Sequence, residues 1–119
     1  PARTQHTDSR DDRLTLRIDY GQTSVVVTGC ITSNGEKEIV SSGAAAACDA
    51  LIVSRGGTEA ATCAEWVEAA KPKVALITGK NPANSVRIRL QKYGATVYAA
   101  KENGVMTLFS DGQEITVEP

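Results

Sequence analysis

The chain has 119 residues, 41% of them apolar, with 13 basic and 14 acidic side chains and a formal charge of −1. That fits one domain with one modest core, and the near-neutral balance excludes a global field drawing it to nucleic acid or membrane. No apolar run approaches the ~20 residues needed to cross a bilayer and no signal-peptide pattern opens the chain, so it reads as a soluble segment.

It begins at Pro1 without a methionine. Residues 1–13, PARTQHTDSRDDR, show no apolar periodicity and read as a flexible segment ahead of a single domain over 14–119, the cut or processed end of something longer. Leu14, Leu16 and Ile18 alternate with Thr15, Arg17 and Asp19, the period of a half-buried strand. Tyr20-Gly21-Gln22 is its turn, and Thr23 to Thr28, β-branched apart from Ser24, is the antiparallel partner. Gly29-Cys30 closes the pair. Residues 31–43 are polar and glycine-punctuated, a loop with a helical turn or two around Glu36 to Val40, and Ala44 to Cys48 read as a short small-residue helix.

Asp49 to Gly79 organises the rest. Its opening run, with Ala50, Leu51, Ile52 and Val53, is too short for a helix and reads as a strand buried on both faces. A glycine-rich loop, Arg55-Gly56-Gly57, follows. Thr62 with Glu65 is a capping-box signal for a helix from about Cys63 to Lys71 that turns Trp66, Val67 and Ala70 to the sheet and stops at Pro72. Val74 to Ile77 is a second buried strand, completing a βαβ unit. After the loop Gly79-Lys80-Asn81-Pro82, a helix capped by Asn84 or Ser85 carries Val86, Ile88 and Leu90 to Tyr93, with Gly94 as its stop. Thr96 to Ala99 is a strand, Asn103-Gly104 a hairpin turn returning through Val105 to Phe109, and Asp111-Gly112 a second turn before Ile115 to Val117.

Three places offer chemistry. The loop Arg55, Gly56, Gly57, Thr58 follows a buried strand and leads towards a helix, so its N–H groups and its guanidinium suit an anion or phosphate; a plain tight turn is the competing reading. Cys30 is a weak candidate for a metal ligand or nucleophile, with no second ligand type nearby. Six cations, Lys71, Lys73, Lys80, Arg87, Arg89 and Lys92, stand between residues 71 and 92 without an acid, a candidate nucleic-acid patch or a solvated face. The only histidine is His6, in the loose N-terminal segment, so no histidine-based metal site can be built. Cys30, Cys48 and Cys63 lack a close pair and read as reduced thiols.

The order TSVVVTGC, DALIVSRGGT, EWVEAAKPKVALITG and IRLQKYGATVYAAKENGVMTLFSDGQEITVE resembles the C-terminal half of the metallo-β-lactamase-fold domains of ComEC-type DNA-uptake (competence) proteins, over residues 14–118. The resemblance implies an α/β fold that is half of an αββα sandwich, with a mixed sheet, a central βαβ unit and C-terminal hairpins. It places that family's Gly-Asp at Gly29-Cys30, its His-His-Gly-Ser at Arg55-Gly56-Gly57-Thr58 and its Gly-His-Pro at Gly79-Lys80-Asn81-Pro82. The family's metal ligands are thus replaced, and its opening His-x-His-x-Asp-His half is missing.

The resemblance implies a degenerate, metal-free hydrolase relative with no cofactor and no catalytic residue in this chain. It would serve assembly or DNA handling as part of a bacterial membrane-associated DNA-uptake protein. The alternatives are a phosphodiesterase or nuclease completed by residues outside the chain and a purely structural interaction domain. Half a sandwich leaves one sheet face bare, to be covered by the remainder of a longer parent chain or by a second copy in a homo-oligomer.

Overall fold

The computed structural model describes residues 15–29, 31–43, 46–59 and 61–118, Asn103 without its side chain. Strand β1 (Thr15–Tyr20) turns at Gly21-Gln22 into the antiparallel β2 (Thr23–Thr28). From β2 the chain steps across one sheet in a single direction, through α1 (Ser33–Ser41) to β3 (Ala50–Ile52), α2 (Ala64–Ala70) to β4 (Val74–Ile77), and α3 (Asn84–Lys92) to β5 (Thr96–Ala99). The order is β1-β2-β3-β4-β5, with every pair after the first parallel. A helical turn, α4 (Ala100–Asn103), leads to a separate antiparallel hairpin, β6 (Thr107–Ser110) and β7 (Ile115–Glu118). The expected mixed α/β architecture, central βαβ unit and C-terminal hairpin are all present.

Right-handed crossovers that all step the same way put their helices on the same face of a sheet. Accordingly α1 packs on α2 and α2 on α3. Under them lie the in-register residues Val26, Leu51 and Ala75, with Val53, Ile77 and Ala99, against Trp66, Val67, Ala70, Val86 and Leu90. Fully burying each of the larger side chains contributes about 1.5–3 kcal/mol. The other face carries the row Leu16, Val27, Ile52, Leu76, Tyr98 and the row Ile18, Val25, Ala50, Val74, Thr96. No described helix covers it. Leu16, Ile18 and Tyr20 are 46%, 54% and 62% exposed, so the strand expected over Leu14 to Ile18 is an open edge rather than half-buried.

Several expectations need correction. The region around Glu36 to Val40 is a nine-residue helix, held by the burial of Gly35 and Glu36 and by Ile39 and Val40 against the core. Ala46 to Cys48 are not helical, and positions 44 and 45 lie outside the described residues. The Thr62–Glu65 capping box does not form: Thr62 has φ 61° and its hydroxyl is buried without a partner, while Glu36 takes the N–H groups at the start of α2. Ile88 is 55% exposed, on the outer side of α3. Asn103-Gly104 ends a helical turn instead of making a hairpin: residues 100–103 coil directly after β5, and β6 pairs with β7 rather than with the outer edge of β5. Asp111 Oδ1 accepts from the N–H groups of Gln113 and Glu114 and so shapes that turn, which packs on the β1–β2 turn through Gln22 N–H to the Gly112 carbonyl and Thr23 Oγ1 to Ser110 Oγ.

Candidate functional site

The carboxyl ends of parallel strands are where an open α/β sheet makes a crevice, because the chain leaves in loops that splay towards the helices. Here the loops after β2, β3 and β4 are knitted together. The Arg55 N–H donates to the Gly29 carbonyl at 2.9 Å, Ser54 Oγ to the Ile31 carbonyl at 2.6 Å, and the Ala83 N–H to the Gly57 carbonyl at 2.8 Å. Arg55 and Gly56 both take left-handed backbone, φ 53° and 64°. For an arginine this conformation is uncommon and costs about 1–2 kcal/mol, so the surrounding ties hold it there. A Cβ on Gly56 would come to 2.9 Å from Gly79 Cα, and one on Gly79 would run into the Gly56 carbonyl. The two loops therefore meet backbone to backbone.

Their meeting forms a crevice of about 490 Å³ lined by Thr28, Gly29, Ile52, Val53, Arg55, Gly56, Thr58 and Thr78. The Thr28 hydroxyl is spent on the Ile52 carbonyl at 2.6 Å. Thr58 and Thr78 are exposed at the rim, Arg55 is half-buried, and Lys80 is exposed beyond Gly79. This is a neutral-to-cationic pocket with hydroxyls and no carboxylate, chemistry suited to an anion. Of the four residues read from sequence as anion-binding, Arg55, Gly56 and Thr58 line it; Gly57 is buried beneath, against Ile77 and Pro82.

The six cations do not form one patch. Lys71 and Lys73 lie at the opposite end of the sheet, where the Lys73 N–H bonds the Asp49 carbonyl and its Nζ stands 3.6 Å from Asp49 Oδ1. Lys92 is in the last turn of α3. Arg87 pairs with Glu102 at 2.6 Å, which holds that carboxyl below its usual range, and Arg89 donates to the Thr62 carbonyl at 2.7 Å. Lys80 alone is beside the crevice. Sequence spacing on α3 hides this, because the topology sends its two arginines to different neighbours.

Among the described residues no three His, Cys, Asp or Glu side chains stand together as a metal ion would need. Cys30 and His6 lie outside the described residues. Burial pushes the Cys48 and Cys63 thiols up to about 11, so both are protonated near neutral pH and are free cysteines. Sequence reading missed Glu36, a fully buried carboxyl in a polar stretch. Its only signal was that a helix there would turn it inward beside Ile39 and Val40.

No helix among the described residues is long and apolar enough to cross a membrane. No protein-family model matches the chain, and no solved structure does. It is similar to the ComE operon protein 3 of Bacillus subtilis, at 27% identity over 112 residues, an alignment that takes in 89% of this chain and 14% of that protein's length.

Proposed function

We propose that the chain is a non-catalytic half of a metallo-β-lactamase-like sandwich, related to the ComEC-type DNA-uptake proteins, that serves assembly and DNA handling rather than hydrolysis. The observation that carries this reading is the lining of the crevice. Where the family it resembles keeps histidines after the β3 strand, the loop presents Arg55, Gly56 and Thr58. The similarity to ComE operon protein 3 supports a DNA-uptake-related role in the same direction.

Arg55, with Thr58 and Lys80 at the rim, would hold a backbone phosphate of DNA without touching a base. Such binding is independent of sequence and weakens with salt. The second sheet face supports the assembly half of the proposal. Covering its apolar rows with the remainder of a longer chain, or with a second copy about a two-fold axis, would remove on the order of 1,200–2,000 Å² from water, the size of a stable interface.

Elemental analysis, a phosphodiester hydrolysis assay and an oligonucleotide titration test the reading together. We expect no stoichiometric metal, no hydrolysis, and binding that falls with salt and falls further in Arg55→Gln. About one zinc or manganese per chain, lost together with hydrolysis in Cys30→Ala, would establish the phosphodiesterase alternative instead. Metal-free protein that binds no oligonucleotide would be a purely structural interaction domain.

A further inference from the structure

Glu36, on α1, is 0% exposed. Its Oε2 accepts from the Thr62 N–H at 2.8 Å and its Oε1 from the Cys63 N–H at 2.9 Å. The nearest cation from α3, Arg89, is spent on the Thr62 carbonyl, and no described cation makes an ion pair with the carboxyl. An ionised carboxylate buried without a paired cation is costly, so this site favours the neutral acid. The segment it grips is strained too. Thr62 is β-branched, left-handed and completely buried, with a hydroxyl that has no partner. Facing the carboxyl at the start of α2 is the Cys63 thiol, which donates to the Ser33 carbonyl, with Glu65 in the first turn beyond; from α3 comes Arg89, and on α1 itself Lys37 is exposed.

We propose that Glu36 is a proton-controlled latch between α1 and the start of α2, closed while the carboxyl keeps its proton and opening, with Thr62 released from its left-handed conformation, when the proton leaves. The latch belongs to the stretch that continues from the crevice loop. With it open, Thr62 and Cys63 lose both bonds to α1, while the crevice loop keeps its own ties, from the Thr58 N–H to the Arg55 carbonyl and from the Ala83 N–H to the Gly57 carbonyl.

The direction follows from linkage. Burial raises the closed carboxyl to about 7, whereas a hydrated Glu36 ionises near the ordinary 4.5. The open state therefore binds fewer protons between those values, and its population climbs with pH until it levels off above about 7. Each unit is a factor of ten, which gives a rise on the order of 100-fold in the opening constant from about pH 5 to about pH 8.

Amide hydrogen exchange at Thr62 and Cys63, corrected for the intrinsic base catalysis of exchange, reads that constant directly. The wild-type protein should show the rise and Glu36→Gln should be flat, while the side-chain carbon of Glu36 should titrate with a midpoint near 7 by NMR. A midpoint below about 5.5, or the same rise in Glu36→Gln, would overturn the latch. If Glu36→Gln does not fold, the carboxyl titration and wild-type exchange decide the matter without it.

Discussion

The two faces of the five-stranded sheet are built from the same strands and nearly the same apolar residue types, yet helices cover only one of them. Val26, Leu51 and Ala75 are at most 2% exposed beneath the helices. On the other side of the pleat Ala50 and Leu76 are buried on the central strands, while Leu16 and Ile18, on the edge strand β1, stand about half in water. Hydrophobicity does not separate the two sets. What separates them is that every crossover runs the same way, so all three helices spend their apolar sides on one layer. Topology, more than composition, decides which face the helices cover.

The sharpest way to break this comparison is to remove a large side chain from the covered face. Trp66→Ala should cost ~3–5 kcal/mol in chemical denaturation, enough to unfold much of a marginal domain. An unchanged midpoint would mean that the helix layer contributes little.

Next in size is a pH effect confined to the covered face. Glu36 has its folded value raised to about 7 from 4.5, so its contribution is fully present below the lower value and is lost as pH rises through the higher one. We expect wild-type stability to fall by about 3 kcal/mol from this group over that window, and Glu36→Gln to lack the fall. Denaturation at a series of pH values checks both.

Gly79→Ala tests the end of the sheet instead of a face. The new methyl must displace the Gly56 carbonyl, and a cost of roughly 1–3 kcal/mol with loss of oligonucleotide binding is expected. The smallest effect belongs to the open face. Ile18→Ser should change the stability of the free monomer by no more than about 0.5 kcal/mol, yet reduce self-association or dye binding in sedimentation and fluorescence measurements. A large loss of stability would show that the open face is already packed within the chain.

Much of this arrangement was legible in the residues themselves. The apolar runs at Leu51 and Ala75 and the spacing of Trp66 with Ala70 place strands and helix correctly, because both period and packing point the same way. The errors arose where a local signal was overruled from a distance. Asn103-Gly104 has turn chemistry, but the residues before it coil into a helical turn and β6 pairs with β7, so the outer edge of β5 gains no returning strand. Thr62 and Glu65 have the spacing of a cap, but the Glu36 carboxyl, twenty-six residues upstream of Thr62, takes the Thr62 and Cys63 N–H groups instead. α1 was underestimated because its inward residue is Glu36, which no hydropathy pattern marks as buried. The crevice loop was recognised from strand, glycines and arginine in sequence. That its neighbour would be the β4 loop, and that the six cations would scatter, depends on strand order.

The contact between Gly56 and Gly79 also limits what position 56 can accept. The resemblance puts a histidine of the hydrolase family at position 56, but here any side chain there would have to enter space held by the Gly79 backbone, from a left-handed conformation that disfavours it. A side chain at that position thus requires the β4 loop to withdraw first, and that loop is tied through Ala83 to Gly57. Substitutions at position 56 are therefore coupled to the β4 loop: a side chain there is disfavoured until Gly79 and the Ala83 tie have moved as well.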